Sequence, residues 1–392
     1  MLSRATLLLL LLLLYIMISS TRAFSRQFPA AAKALSARRS ASSSSSTQAD
    51  TTPSSKAKLS ITEQMRLEAD SEMHKLVQHY KSQQDIKSPL LWKSQEEASR
   101  FIDENIDSVL FDCDGVLYRT PDQAPGAEDC IKSLLKKGKQ LFFVTNNAGV
   151  NRIQLREKLA KILQIEHLTV DMMVSSSYSC AQYLKREFLE KKGSGSLHVI
   201  GSEGLCDELR ATGFNVTGGP SEEKAGMTRD ELADYEFGEH PIDAVVVGHD
   251  IEFTFRKMCI ANVLLQMNPD APLVATNEDS FDLVGADSRQ IPGNGCVVRA
   301  LEHSSKRRAI NVGKPSKVLV DLIASKHGLD PTRSIIVGDR LDTDIRFGVE
   351  AGMHSALVMT GVTSAEKMIQ LQGGTIEEPL PTIIMPYVAF LA

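Results

Sequence analysis

Cysteines are few and far apart in this sequence, with six in 392 residues and no CxxC pair among them. Their spacing indicates neither a disulfide framework nor a zinc site. We expect six free thiols, because a chain with room for a large core needs no covalent cross-links. None of the nine histidines has metal-ligand spacing, and the sequence contains no internal repeat.

Acidic residues are nearly absent from the first 60 positions, where eight basic residues and one acidic residue give a net charge of +7. The remainder carries 36 basic and 48 acidic residues, a net charge of −12. An acidic body argues against non-specific binding to nucleic acid or to an anionic membrane. It does not exclude a small anionic substrate, because a metal ion and a few local donors can outweigh the overall field.

Long apolar runs are scarce too, and the one that stands out is Leu7–Ile18, shorter than the roughly 17–25 residues of a transmembrane helix. A basic start before it and the small residue Ala23 after it are typical of a signal peptide. The stretch after Phe24 is basic, rich in Ser and poor in acid, as transit peptides are. The combination resembles the bipartite presequence of algae with complex plastids. We predict that residues 1–60 are a disordered plastid presequence; secretion, a membrane anchor and mitochondrial import are the alternatives.

The composition of the whole chain, 42% apolar and 24% charged, is that of an ordinary globular protein, and its length allows two domains after the N-terminal segment. Residues 61–94 show weak helical spacing among many charges and predict an accessory helix without a chemical role. Ser94, with Glu97 three positions later, fits a capping box that opens the next helix.

From Val109 onward, short continuous apolar runs alternate with amphipathic segments of helix length. This alternation indicates a doubly wound α/β core, in which a parallel sheet is buried on both faces. The runs predicted as its strands are Val109–Phe111, Leu141–Val144, Met172–Val174, Ile310–Val312, Ile335–Val337 and Ala356–Val358. In such a sheet the active site lies beyond the carboxyl ends of the strands.

A second series of strand-like and helix-like segments follows a Gly/Ser-rich stretch typical of a linker. Its predicted strands are Leu197–Ile200, Ala244–Val247 and Pro272–Ala275. We therefore predict an inserted α/β cap domain over residues 195–308. It would divide the core into residues 95–194 and 309–392 and cover the active site.

Polar residues follow the predicted core strands. Asp112 and Asp114 come after the first run, where two carboxylates are costly unless they bind a cation or take part in catalysis. Thr145, Asn146 and Asn147 come after the second run, where a hydroxyl and free backbone amides can hold a phosphoryl group. Taken alone, each motif is also a common turn sequence.

Lys314 follows the run Ile310–Val312, and Asp339, Asp342 and Asp344 follow the run Ile335–Val337. A lysine there can neutralise a phosphoryl group and favour the ionised form of a nearby Asp. Clustered acids suit a hard cation with oxygen ligands, typically Mg²⁺. Taken singly, a solvated lysine and an acidic helix N-terminus explain these residues as well, Asp342 above all. Four such sets at strand ends of one sheet would converge, and that combination is specific.

With these motifs in view, residues 95–365 closely resemble the haloacid dehalogenase superfamily. The matching branch carries a large cap and includes phosphoglycolate, pyridoxal phosphate and p-nitrophenyl phosphatases. The resemblance extends beyond the catalytic motifs into the cap, at Val245–Asp250 and Gly293–Arg299. In this family a Gly-x-Gly such as Gly293–Gly295 opens a cap helix that faces the active site.

The resemblance implies an Mg²⁺-dependent phosphatase. Asp112 would be the nucleophile that becomes an aspartyl phosphate, and Asp114 would protonate the leaving oxygen and then take a proton from water. The metal would be held by the Asp112 carboxylate, the Asp114 main-chain carbonyl and Asp339. Asp344 would orient metal-bound waters.

The remaining matched residues would bind the phosphoryl oxygens: Thr145, the amides around Asn146 and Asn147, and Lys314. Cys113 lies between the two acids, and we expect a small buried filler there, because neighbouring carboxylates do not lower a thiol pKa. The polar cap residues His249 and Arg289 are expected to have structural or surface roles.

The leading substrate is 2-phosphoglycolate, from the resemblance in the cap and the predicted plastid address. A pyridoxal phosphate or broad-specificity phosphatase is the alternative within the family, and an inactive regulatory binding module is the alternative of another class. The expected partner is a small phosphorylated metabolite, with no nucleic acid and no membrane for the mature form. A homodimer through the cap is possible by analogy only.

Overall fold

The computed structural model describes residues 59–81, 90–91, 94–220, 226–236, 241–284 and 289–392. Residues 59–392 form one compact unit. Apart from its last two residues, the predicted presequence lies outside the described residues. Within those ranges, no helix combines the length and the hydropathy that crossing a membrane requires.

The described residues form helices and strands with the following bounds. The helices are α1 (Ile61–Lys81), α2 (Gln95–Asn105), α3 (Ala127–Lys136), α4 (Arg152–Leu163), α5 (Ser176–Leu184), α6 (Glu190–Lys192), α7 (Glu203–Thr212), α8 (Arg229–Ala233), α9 (Phe255–Met267), α10 (Asn294–Ser305), α11 (Lys317–His327), α12 (Arg346–Ala351) and α13 (Ala365–Gln372). The strands are β1 (Leu90–Leu91), β2 (Ser108–Phe111), β3 (Tyr118–Arg119), β4 (Asp122–Gln123), β5 (Gln140–Thr145), β6 (Met173–Ser175), β7 (Ser196–Ile200), β8 (Asn215–Gly218), β9 (Ala244–Val247), β10 (Leu273–Ala275), β11 (Phe281–Val284), β12 (Arg289–Pro292), β13 (Ala309–Asn311), β14 (Ser334–Gly338), β15 (His354–Val358) and β16 (Ile383–Met385).

The core is a seven-stranded sheet in the order β1-β16-β15-β14-β2-β5-β6, and its neighbouring strands are parallel. Successive residues of one strand enter two different apolar clusters: Val109 and Phe111 pack on one face, and Leu110 packs on the other. Helices cover both faces, which explains the continuous apolar runs. The predicted doubly wound core is confirmed.

A second parallel sheet, in the order β13-β10-β9-β7-β8, forms the centre of the cap. Its two faces are also both covered, with Val199 and Val246 in one apolar cluster and Val245 and Val247 in another. The antiparallel hairpin β11–β12 is a separate two-stranded sheet that follows β10 in the chain. The predicted inserted α/β cap is therefore present.

The prediction for Ile310–Val312 was wrong. This run was expected to be a core strand, but β13 pairs in parallel with β10, with Leu273 opposite Ala309, and so belongs to the cap sheet. Both sheets are parallel and covered on both faces, so an apolar run does not reveal which of them it joins. With β13 in the cap, the second part of the core starts after Asn311 rather than at 309.

Several local predictions are confirmed. A helix, α1, occupies most of residues 61–94. The Ser94 side chain caps α2 by accepting a hydrogen bond from the Glu97 amide at 3.3 Å, which is one half of the predicted capping box. All six cysteines are free thiols, and Cys113 is buried. Burial, with the neighbouring carboxylates of Asp112 and Asp114, raises the pKa of the Cys113 thiol well above its ordinary value, as expected for an inert filler.

We predict that Phe347→Ala lowers the free energy of unfolding by about 3–5 kcal/mol, because the ring is fully buried between α12 and the sheet. Val349→Ala is the matched control on the same helix: this side chain is 46% exposed, so we expect a change within about 0.5 kcal/mol. Urea unfolding is the measurement. An equal loss in the free energy of unfolding for the two variants would contradict this packing.

Candidate active site

A cleft of about 540 Å³ opens where the carboxyl ends of β2, β5 and β14 meet the cap. All the residues predicted from the sequence as catalytic, metal-binding or phosphoryl-binding line this cleft: Asp112, Asp114, Thr145, Asn146, Asn147, Lys314, Asp339 and Asp344. Residues up to 232 positions apart in the chain are thus brought together at one edge of the core sheet.

Lys314 occupies the centre of the site. Its ammonium group is buried, donates to Asp112 Oδ1 at 2.5 Å and lies 2.7 Å from Asp344 Oδ1. It also donates to the Val144 carbonyl at 2.9 Å. Burial alone would lower the pKa of Lys314, but the carboxylates of Asp112 and Asp344 outweigh it and raise the pKa. The lysine is therefore a permanent positive charge between two acids.

The end of β5 contributes a polar loop. Thr145 Oγ1 accepts from the Asn147 amide at 3.1 Å. The Asn146 side chain, which sequence reasoning left without a function of its own, accepts from the Lys314 amide at 2.8 Å and donates to Asp279 of the cap at 3.0 Å. Asn146 therefore connects Lys314 to the cap, and the loop keeps hydroxyl and amide groups at the cleft.

Asp339 and Asp344 are held by backbone donors at the end of β14. Asp339 Oδ2 accepts from the Val362 amide at 2.7 Å, and Asp344 Oδ2 accepts from the Asp339 amide at 3.2 Å and the Arg340 amide at 3.1 Å. Gly361 is required by this approach, because a Cβ there would lie 1.8 Å from Asp339 Oδ2. The orientation of both carboxylates is thus set by the backbone.

Asp114 differs from the other acids because it is exposed to the cleft. Tyr118 Oη donates to its Oδ2 at 2.8 Å, and Lys158 Nζ donates to the Tyr118 oxygen at 3.0 Å. Burial and the Asp114 charge raise the pKa of Tyr118 well above its usual value, so its hydroxyl stays protonated and remains a donor. An exposed, oriented carboxylate beside a buried one is the arrangement that divides the roles of acid and nucleophile.

The cluster carries more negative charge than one lysine neutralises. Ligand atoms of Asp112, Asp339 and Asp344 lie within 4.8 Å of one another. Burial raises the pKa of Asp112, the ammonium of Lys314 opposes the shift, and the carboxylate of Asp344 adds to it. Burial, and then the charge of Asp344, raise the pKa of Asp339 to about 7. Three buried carboxylates around one ammonium fit a divalent cation with oxygen ligands.

The cap supplies residues that sequence reasoning did not place in the site. Asp279, whose pKa burial raises to about 6, bonds Asn146, and the half-buried Asp282 lies 3.7 Å from His249 across a nitrogen–oxygen contact. His249, which was expected to have a structural or surface role, lines the cleft. Asn294 lines it too, at the start of α10, the cap helix that was expected to face the site. An acid or histidine within a polar loop gives no sequence signal that would separate it from a surface residue.

Two family models match this chain: one described as haloacid dehalogenase-like hydrolase over residues 109–215, and one described as HAD-hydrolase-like over residues 311–388. The chain is 37% identical over 292 residues to phosphoglycolate phosphatase 2 of Arabidopsis thaliana, covering 74% of this chain and 94% of that one. It is 37% identical to glycerol-3-phosphate phosphatase of Gallus gallus, covering 69% and 85%.

A solved p-nitrophenyl phosphatase from Archaeoglobus fulgidus superposes with a TM-score of 0.61 at 26% identity, covering 73% of this chain and 98% of that one. Fold and site together define a capped α/β phosphatase, a phosphoric monoester hydrolase with an aspartate-rich centre. The chain belongs to the haloacid dehalogenase-like hydrolase family.

We predict that Asp339→Asn stabilises the protein when divalent cations are absent. Asp339 keeps its proton up to a pH of about 7 in the folded state, whereas the unfolded chain releases it near 3.8. The charge therefore lowers stability progressively between these pH values and fully above pH 7. At pH 8 we expect the variant to gain roughly 1–4 kcal/mol in urea unfolding with chelator present, and less at pH 5.

Asp342→Asn is the control in the same loop. The Arg340 guanidinium bonds this carboxylate and, despite partial burial, lowers its pKa, so neutralisation should not stabilise the protein. An equal gain for the two variants at pH 8 would show that crowding of charge at Asp339 is not the cause.

Proposed function

We propose that this phosphatase hydrolyses a small phosphate monoester with Mg²⁺, through an aspartyl phosphate on Asp112. The observation that supports this most is the buried Lys314, whose ammonium contacts Asp112 and Asp344 beside the exposed Asp114. Phosphoryl transfer depends on positioning and charge neutralisation, and this cluster provides both.

In the first step a carboxylate oxygen of Asp112 forms a bond to phosphorus while the bond from phosphorus to the leaving oxygen breaks. Asp114 gives its proton to that oxygen, so the alcohol leaves neutral. In the second step Asp114 takes a proton from a water molecule that attacks the phosphorus, and the bond to Asp112 breaks. Inorganic phosphate leaves, and both carboxyl groups return to their starting states.

The donor set suits Mg²⁺, which would be held by the Asp112 carboxylate, the Asp114 carbonyl and Asp339, with Asp344 as an outer partner. When bound, it would offset the repulsion between the anionic nucleophile and the anionic substrate. Lys314, Thr145 and the backbone amides around Asn146 and Asn147 would hold the phosphoryl oxygens. Asn146 supports this role through its hydrogen bond from the Lys314 amide.

The substrate proposed is 2-phosphoglycolate. Relatives named phosphoglycolate phosphatase support it, among them two Arabidopsis thaliana proteins whose names include "chloroplastic", each 36% identical to this chain. They also support plastid targeting, although the presequence that would direct it lies outside the described residues. Relatives named glycerol-3-phosphate phosphatase and p-nitrophenyl phosphatase keep a broader or different specificity as the alternative.

The small metabolite is the proposed partner, and nucleic acid and membrane are not expected for the mature protein because its body is acidic. A homodimer through the cap remains an analogy. An inactive binding module is the alternative of another class, and the retained acids, lysine and backbone donors speak against it.

We predict that Asp112→Asn abolishes phosphate release, because an amide oxygen is too weak a nucleophile to form the intermediate. Steady-state turnover with Mg²⁺ is the measurement, and circular dichroism checks the fold. Asp321→Asn, an exposed carboxylate on α11 paired with Lys317, is the control and should match wild type. The proposed mechanism would be wrong if Asp112→Asn kept a tenth or more of the wild-type kcat.

The substrate prediction is checked by kcat/KM for 2-phosphoglycolate, glycerol 3-phosphate, pyridoxal phosphate and p-nitrophenyl phosphate. We expect 2-phosphoglycolate to be preferred by about a hundredfold, or about 2.7 kcal/mol of transition-state binding. Similar values for all four would keep the mechanism and discard the specific substrate.

A further inference from the structure

Helix α1 lies outside both stretches that match the family models, yet it is packed onto the catalytic core. Met65, Ala69 and Leu76 lie on one face of this helix and are fully buried. The helix packs beside α13 and the loop after β14, sharing an apolar cluster with Leu341 and Met368. Burial of such side chains keeps a helix docked. The polar side chains that flank this apolar face therefore hold fixed positions over the core.

Glu68 of α1 forms an ion pair with Arg119 of β3, with 3.1 Å between Oε2 and Nη1. Strands β3 and β4 form a small hairpin that follows the Asp112–Gly115 turn, and Arg119 lines the cleft. The start of α1 holds the other strand: the Ile61 amide donates to Asp122 and the Thr62 hydroxyl donates to the Gln123 carbonyl at 2.7 Å. Helix α1 therefore contacts both strands of this hairpin.

Arg119 connects this ion pair to the Asp112–Gly115 turn through Thr360. Its Nη2 donates to the Thr360 carbonyl at 2.9 Å, and the Thr360 hydroxyl donates to the Gly115 carbonyl at 2.6 Å. Gly115 directly follows Asp114 and has a φ of 81°, a backbone state that favours glycine. The turn that carries Asp112 and Asp114 is thus tied, through two side chains, to a glutamate on α1.

The same helix also holds the loop that orients Asp339. Glu72, one helical turn after Glu68, accepts from the Ala365 amide at 2.6 Å, at the N-terminus of α13 where a negative charge is favourable. Between Thr360 and Ala365, the Val362 amide donates to the Asp339 carboxylate. Two glutamates on α1 therefore fix the two ends of the segment that places a predicted metal ligand.

We propose that Glu68 is a positioning residue for the metal site: through Arg119 and Thr360 it holds the Asp112–Gly115 turn and the Thr360–Val362 loop in the geometry that binds the divalent cation. In this proposal α1, which lies outside the stretches matched by the two family models, helps to set the geometry of the metal site. The proposal rests on the metal site of the proposed function.

The test compares Glu68→Ala with Asp70→Ala in the full-length protein. Both remove a carboxylate from α1 and insert a good helix former, but the contact of Asp70 is an exposed ion pair with Arg66 at 3.9 Å. The first readout is the Mg²⁺ midpoint, taken as the Kd for Mg²⁺ that is fitted to the rise of Tm with Mg²⁺ concentration in the absence of substrate. The second is kcat with p-nitrophenyl phosphate at saturating Mg²⁺.

For Glu68→Ala we expect the Mg²⁺ midpoint to rise about three- to tenfold and kcat to fall, a range typical of coupling between contacting residues. The metal-free Tm should stay within about 2 °C of wild type, because the ion pair is partly exposed. In an Arg119→Gln background, the added Glu68→Ala change should shift the Mg²⁺ midpoint by less than about 1.5-fold, because Arg119→Gln has already removed the ion pair with Glu68.

The proposal is overturned if Glu68→Ala and Asp70→Ala have the same Mg²⁺ midpoint, or if the Glu68→Ala effect persists undiminished in the Arg119→Gln background. The wild-type protein separates this failure from a failure of the proposed function. No rise in Tm with Mg²⁺ and no turnover in wild type would reject the metal-dependent phosphatase, and the role of Glu68 with it.

Discussion

A lysine ammonium enclosed by carboxylates is the interaction on which the other parts of the site depend. Taking a charge out of water costs several kcal/mol, and only close, well-oriented partners offset that cost. Lys314 meets this demand with Asp112, Asp344 and the Val144 carbonyl, all within 2.9 Å of Nζ. The remaining excess of negative charge fits the divalent cation that we propose for this cluster.

The cluster draws its charges from three separated parts of the chain. Asp112 follows one core strand, Lys314 lies in the connection that leaves the cap sheet, and Asp344 follows a second core strand. Because the lysine arrives from a cap strand, the packing of the cap and the geometry of the catalytic centre are connected. The Asn146 side chain, between Lys314 and Asp279, adds a direct hydrogen-bonded link across the same boundary.

The residues that line the cleft could be predicted in large part, because polar residues at strand ends leave local patterns. Acids at Asp112, Asp114 and Asp339 stand directly after apolar runs, where unpaired charges are unfavourable without a function. The contacts of Tyr118 with Lys158, of Asp279 with Asn146 and of Glu68 with Arg119 could not be predicted in this way. Each partner is distant in sequence, and the neighbours of these residues in the chain look like an ordinary turn, loop or helix surface.

The sequence by itself determined the fold class, the family and the identity of the charged groups, because apolar periodicity and strand-end motifs are local properties of the chain. Only the tertiary structure decided which sheet takes Ile310 and which face of α1 meets the hairpin β3–β4. Two parallel sheets covered on both faces require the same apolar runs, and a helix with many charges does not reveal which of them will find a buried partner. Those choices depend on packing between distant segments, and that packing sets the geometry of the site.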